Sequence, residues 1–299
     1  MSLRVLHLVS TLGPTAIGRS ASRLIPAMSG VDSRVINLGE SFFPLPAERI
    51  RFRSPLDLTA IRRLRELFSE FQPDRIHAWG PAAVRATWWI PRRPRIASHI
   101  TSPPDWLTAR QLRSALRVLD ETELISVEVT TPSSRPPDAI LVSGGFDRQA
   151  DLIQAIWAFD VVRHVRPDAT LTLLGDGPER GQLESFAASL KSRPGSIRFV
   201  GRQGDVRPWL QSATLVWLTH RNGGRSFAAE ATAAGVPTIG YDPGATLPLP
   251  HRDPIDLARR TLAALSSPPL LTVVSPVSVE SNATRLSGVY NDALPGRGA

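Results

Sequence analysis

Apolar positions along the chain switch between a period of two and a period near 3.6, which predicts strands and helices in alternation and hence α/β layers with parallel sheets. Residues 4–9 form a first strand, 11–18 a loop holding Gly13, Pro14 and Gly18, and 19–28 a helix. Residues 34–38 give a second strand. Leu58, Ile61, Leu64, Leu67, Phe68 and Phe71 recur at helical spacing, with Asp57 as the cap and Pro73 as the stop. Strands follow at 75–79 and 95–99. Residues 106–119 fit a helix, 123–129 a strand, and 131–139 has the proline and serine content of a linker.

A second alternating series starts with a strand at 140–143, the glycine loop 144–148, and a helix burying Leu152, Ala155, Ile156, Phe159 and Val162. Strands at 170–174 and 197–200 flank the turn 175–178 and a helix ending near 190. A short helix at 205–211 leads into residues 216–241, around which the second half is organised: a buried strand, Gly223 and Gly224, a helix, and a strand after Pro237. Ser226 is the expected cap of that helix and Gly235 its stop. Phe227, Ala231 and Ala234 share one face, and Glu230 is expected within about the first turn, near free N–H groups and the positive end of the dipole. A strand, a glycine loop and a helix N-terminus make an anion site. The alternative is a plain turn followed by a solvated glutamate. A helix to about 265, a proline-broken stretch, a helical pattern over 279–294 and a tail complete the chain.

With 299 residues the chain exceeds what one core holds, so two domains are expected. No run of 18 apolar residues occurs, and the first residues read as a strand rather than a signal peptide, so a cytoplasmic location is expected. The absence of cysteine excludes disulfides and thiolate metal sites, and the six histidines have no ligand spacing, so no metal is implied. Residues 1–137 hold 19 Arg against 12 acidic residues, a charge of +7; the remainder holds 15 Arg and one Lys against 15 acids. That asymmetry suits phosphorylated ligands or an anionic membrane face, although so strong a bias toward Arg over Lys also reads as coding bias. No nucleic-acid partner is expected.

The blocks GDGPER (175–180), IRFVG (197–201) and EATAAGVPTIGY (230–241), in this order and spacing, resemble the GT-B glycosyltransferases of the retaining family-4 type, the glycosyl transferases group 1. VLHLVSTLG (5–13) and PDRIHAWGP (73–81) match more loosely, and 278–294 is similar to the family's terminal helix. The resemblance implies two Rossmann-like domains facing a cleft, with residues 1–137 as the acceptor domain, 138–277 as the nucleotide-sugar domain, and 278–299 returning to the first. It implies a UDP- or GDP-linked donor, no cofactor and no metal, and transfer of a hexose with retention to a glycan or lipid-linked acceptor, plausible for cell-envelope polysaccharide biosynthesis. A leaving diphosphate held by cations and backbone donors would supply the electrostatic stabilisation.

By the same resemblance Glu230 grips the ribose hydroxyls, since a carboxylate has two acceptor oxygens for a vicinal diol. Thr219, Gly223, Gly224, Ser226 and Phe227 face the donor's phosphates and sugar. Gly201 and Arg202 border the base, Gly144 and Gly145 line the short loop, and Gly18 lies in the first-domain loop near the diphosphate. Arg148 takes the position of the family's lysine on the diphosphate. His99 takes that of a strand-end histidine near the donor sugar, with a strand-capping role as the alternative; His77 reads as structural.

Three departures stand out. Asn222 replaces the carboxylate that holds donor-sugar hydroxyls, Ser143 or Gly145 stands where a second cation is expected, and the first domain is shortened. Arg221 and Arg225 could supply the missing charge or be solvated. These departures frame the rival reading, a catalytically degenerate homologue serving as a nucleotide-binding or partner subunit. The segment 87–96 pairs Trp88 and Trp89 with Arg92, Arg93 and Arg95. Peripheral contact with the inner membrane face is one reading of it, and a helix end with buried tryptophans the other. A nicotinamide enzyme would need GxGxxG after a strand, and GDGPER is not that.

Overall fold

The structure is a computed structural model that describes residues 2–54, 56–91, 95–98, 106–113, 115, 117–119, 136–148, 150–220, 224–242, 244–269 and 278–292. Two compact units divide the chain, Met1–Ser126 with Val277–Ala299, and Val127–Pro276.

The first unit runs β1 (Leu3–Val9), α1 (Ala16–Ala27), β2 (Val31–Asn37), β3 (Glu48–Arg49), α2 (Leu58–Phe71), β4 (Arg75–Trp79), α3 (Pro81–Ala86), a 3-10 turn (Thr87–Trp89), β5 (Arg95–Ser98), α4 (Trp106–Leu112) and β6 (Arg117–Leu119). Its six strands form a parallel sheet in the order β3-β2-β1-β4-β5-β6. The short first half thus still completes a six-stranded sheet. Alternation along β1 decides the layers. Val5 and Val9 face Leu24 and Ile25 of α1, while Leu6 and Leu8 face Leu64, Leu67 and Phe68 of α2. The expected cap of α2 is present, with Asp57 Oδ1 accepting from Ala60 N at 3.1 Å, and Gln72 in the left-handed region ends the helix.

The helix expected over 106–119 is instead two elements. It stops at Leu112, and 117–119 pairs with β5, where Leu119 becomes buried core. The strand expected at 123–129 lies outside the described residues, as do Arg92 and Arg93.

The second unit runs β7 (Ala139–Ser143), α5 (Leu152–Val165), β8 (Thr170–Leu174), α6 (Arg180–Ser189), β9 (Ile197–Gly201), α7 (Arg207–Gln211), β10 (Leu215–Leu218), α8 (Arg225–Ala233), β11 (Thr238–Gly240), β12 (Leu247–Pro248) and α9 (Pro254–Ser266). Its strands are parallel in the order β12-β11-β10-β7-β8-β9. The chain then returns to the first unit as α10 (Val279–Asp292), whose Ala283, Leu286, Val289 and Tyr290 join the core beside α1. Among the described residues no helix is long and apolar enough to cross a membrane.

Candidate functional site

Strand order in the second unit reverses between β7 and β10: from β7 the chain winds toward β9, and from β10 toward β12. Ligands of open parallel sheets bind outside the carboxyl ends of the strands at such a switch. Trp217 pairs with Val142, so Thr219 and Gly144 follow two residues later on neighbouring strands at this point. Gly175 after β8 donates to the Gly201 carbonyl at the end of β9 (2.9 Å), which carries the row of strand ends on to Gly201. With strands about 4.8 Å apart, the row from Thr219 to Gly201 spans roughly 14 Å.

Backbone contacts fix the loop after β7. Gly144 N donates to Leu174 O (3.0 Å), Phe146 N to Asp176 O (3.1 Å), and Glu179 N to Phe146 O (3.0 Å). The Phe146 ring is buried. Gly175 has φ +140°, and a Cβ there would fall 1.8 Å from the Gly144 carbonyl, so the turn 175–178 can press on the loop only as glycine. Gly144 itself faces open space, with nothing within 4 Å of where its Cβ would be, and Gly145 is exposed. Arg148 belongs to the same loop. Its side chain is 96% exposed and reaches Glu179 at 3.7 Å.

The helix after β10 departs from expectation at its start. Gly224 is the N-cap and offers no side-chain oxygen, and Ser226 sits inside the first turn of α8 rather than capping it. The cause is local: Ala228 N already closes on Gly224 O at 2.8 Å, so winding begins at Arg225. The N–H groups of Arg225, Ser226 and Phe227 precede the bond from Ala228 to Gly224 and have no acceptor within the helix. Ser226 Oγ is buried and has no hydrogen-bond partner among the described residues. Glu230 is the sixth residue of α8, in its second turn rather than its first, and is buried. Phe227, Ala231 and Ala234 pack on the sheet as their spacing predicts. Thr219 is buried at the end of β10, Arg202 is exposed beyond Gly201, and Asn222 and Gly223 lie outside the described residues.

One neighbouring cluster was not anticipated. Arg252 lies 5.3 Å over the ring of Tyr241, just past β11, and pairs with Asp151 at 3.3 Å. Burial, followed by the charge of Asp151, pushes the Tyr241 hydroxyl up to about 12. Asp151 holds φ 53° at the start of α5 and gives its carboxylate to Arg252 rather than to the helix N-terminus. The three residues are scattered in sequence, and only the Tyr at a strand end was a signal.

In the first unit Gly18 is not in a loop. It lies in the first turn of α1, its N–H donates to the capping Thr15 Oγ1 (3.2 Å), and a Cβ would fall 2.0 Å from Gly13 O. His99 lies outside the described residues. His77 is fully buried and structural in setting, with Nδ1 at 2.6 Å from Tyr290 Oη and Nε2 at 2.9 Å from Ser98 Oγ. Trp88 is 42% exposed and Trp89 half-buried, so burial of the pair is incomplete. Among the described residues no three His, Asp or Glu side chains gather as a metal site.

Residues 137–266 match the family of glycosyl transferases group 1. Solved structures similar to the whole chain include a Listeria monocytogenes protein assigned as a UDP-N-acetylglucosamine 2-epimerase, with TM-score 0.70, covering 98% of this chain and 96% of that one. Anabaena Alr3699/HepE in complex with UDP and glucose aligns with TM-score 0.63, covering 96% and 95%. A glycosyltransferase from Rickettsia africae aligns with TM-score 0.63, covering 99% of both chains. Each is 14% identical to this chain. The fold is GT-B. The family match is confined to residues 137–266, within the second unit. A search of curated proteins gives no significant sequence match.

Proposed function

We propose that the second unit binds a nucleotide sugar, UDP- or GDP-linked, and that the protein transfers its hexose with retention, and without a metal, to a glycan or lipid-linked acceptor. The observation that carries this reading is the buried, unpartnered hydroxyl of Ser226 at the uncapped start of α8, beside the strand reversal and within the span that matches group 1 glycosyltransferases. A buried hydroxyl without a partner costs stability unless a ligand satisfies it. The diphosphate would lie against the first-turn amides of α8 and the open face of Gly144, with Arg148 swinging from Glu179 as its cation. Glu230 would hold the ribose. Asn222 and His99 would attend the donor sugar.

In the transfer the bond between the sugar's anomeric carbon and the diphosphate breaks, and the acceptor hydroxyl attacks from the same face and passes its proton to the departing diphosphate oxygen. Charge grows on the diphosphate, where the amides and Arg148 stabilise it. The rival reading, nucleotide binding without transfer, draws on a specific feature: Arg148 is solvent-exposed, and Ser143 and Gly145 provide no second cation in the loop. A charge-assisted contact of that kind is worth about 1.5–3 kcal/mol.

Melting of the protein with UDP, GDP, ADP and their common sugar conjugates tests binding. A ligand at one hundred times its dissociation constant stabilises by about 2.7 kcal/mol. One responsive nucleotide, with the response lost in Glu230→Ala at unchanged fold, is the expected result, and no response to any of them refutes the reading. Release of free nucleotide with transfer to an added acceptor then separates a transferase from a binding subunit.

A further inference from the structure

The strand after α8 brings a carboxylate to the same end of the sheet. Gly240 of β11 pairs with Leu218 of β10, and Tyr241 N donates to Leu218 O at 2.9 Å, so Tyr241 stands level with Thr219 and Asp242 follows one residue on. Side chains alternate across a sheet. The Tyr241 ring packs with the core that holds Leu152 and Leu257, and Asp242 turns to the other face, where it meets the start of α8. Its Oδ2 lies 3.2 Å and its Cγ 3.5 Å from where a Cβ would stand on Gly224. Asp242 is 3% exposed. Its Oδ1 accepts from Gly244 N at 2.8 Å, and among the described residues no arginine or lysine pairs with the carboxylate. Burying a carboxylate with one hydrogen bond and no counter-ion costs stability, and the hydroxyls of a ligand can supply the missing donors.

We propose that Asp242 binds hydroxyls of the donor's hexose and so supplies, from β11, the carboxylate that Asn222 lacks. The inference rests on the nucleotide-sugar reading of the second unit and adds to it the residue that reads the sugar. The order of groups along α8 carries it. Glu230 lies six residues after Gly224, about 9 Å along the helix axis, and the first-turn N–H groups lie between them. Asp242 stands at the Gly224 end of that row. A donor with its ribose at Glu230 and its diphosphate at the amides therefore brings its sugar beside Asp242. Ser226 Oγ, buried in the same first turn with no partner among the described residues, is a second group there that a ligand would satisfy. A carboxylate repels a diphosphate, so Asp242 is no part of the phosphate seat. Its oxygens only accept, and with Oδ1 engaged by Gly244 it is Oδ2 that is left for neutral donors such as sugar hydroxyls. The other role for a carboxylate at this place is a counter-charge to the helix start. The two roles differ in what loss of the charge does.

Titration calorimetry of the full chain with UDP, GDP, UDP-glucose, UDP-galactose, UDP-N-acetylglucosamine and GDP-mannose tests it on wild type and Asp242→Asn. The amide keeps the shape against Gly224 and an oxygen for Gly244 N, so the melting temperature should not fall. Wild type is expected to bind one conjugate at least as tightly as its nucleotide. Asp242→Asn should weaken that conjugate about tenfold or more and leave the nucleotide as tight or tighter, because a like charge has gone from beside the diphosphate. Asp242→Ser, smaller and uncharged, should move the ratio of the two affinities in the same direction, and it carries the test if the Asn variant does not fold. Equal loss of nucleotide and conjugate, or loss of neither, would overturn the proposal and leave the donor site standing. So would a wild type that binds a nucleotide and none of its conjugates, or a lower melting temperature with the conjugate still preferred, which marks a helix counter-charge. A wild type that binds none of these ligands would overturn the donor site and the role of Asp242 together.

Discussion

His77 on β4 and Tyr290 on α10 are joined across 213 residues of sequence by a 2.6 Å contact between the imidazole Nδ1 and the phenol hydroxyl. From two residues earlier on the same face of β4, Arg75 donates through Nε to the Tyr290 carbonyl at 3.4 Å. That carbonyl is among the last four of α10, which have no partner inside the helix. One tyrosine thus anchors the last helix to the sheet through both its ends.

Tyr290→Phe keeps the packing and removes the buried hydrogen bond between the phenol and the His77 imidazole, a loss of about 1–3 kcal/mol. Urea unfolding should show this as a lower midpoint with an unchanged slope. Truncation before Val279 should do more, because Ala283, Leu286 and Val289 leave the core with Tyr290. The first unit would then unfold while the second, continuous in sequence, stays folded. Protection of both units from hydrogen exchange in the truncated chain would contradict this.

Much of the layer order was legible because it rests on local repetition. The 3.6 period of α2 and its Asp57 cap, the β4 and β10 strands and the apolar face of α8 are all present in the structure. The six-residue helix α3 is too short to set a period, and so are the two-residue strands β3 and β12, which sheet pairing rather than propensity creates. Ser226 has the side chain of a cap, yet the backbone closes one turn around Gly224 and turns the serine into an orphaned hydroxyl. Nothing near His77 in sequence could have shown that its partner is Tyr290.

His7 makes stability depend on pH. Its Nδ1 accepts from Trp79 Nε1 (3.2 Å), so Nε2 carries the proton and faces Ser33 Oγ (3.3 Å). His77, Trp79 and Tyr290 close around the ring. Burial lowers the His7 pKa from 6.5 to about 3. The unfolded chain therefore takes up a proton that the folded one refuses between these values. The contribution is complete above pH 6.5 and is lost as pH falls toward 3, by up to about 1.4 kcal/mol per unit. Urea midpoints of wild type and His7→Asn across this window should diverge by that one proton. Parallel slopes would mean that His7 titrates in the folded protein.

Ser226→Ala separates a ligand contact from a structural one. Its hydroxyl is buried with no partner, so removal should leave the free protein unchanged or up to about 1 kcal/mol more stable. The melting response to the active nucleotide should shrink by an amount near one hydrogen bond. A destabilised free protein with an undiminished response would show that the hydroxyl serves the fold.

Gly144 and Gly175 lie against each other but make opposite demands. A Cβ at Gly144 meets nothing within 4 Å, so Gly144→Ala should leave unfolding unchanged, and any ligand lying on that open face should bind more weakly. At Gly175 the backbone has φ +140° and the added atom would strike the Gly144 carbonyl at 1.8 Å, a backbone atom that can yield only if the whole loop shifts. Gly175→Ala should therefore cost about 1–3 kcal/mol of stability and weaken nucleotide binding as well. Measured together, the two variants distinguish a ligand on the loop from a loop that matters only to the fold. Nucleotide affinity that is lost in Gly175→Ala and kept in Gly144→Ala would move the diphosphate away from Gly144 and leave the start of α8 as its seat.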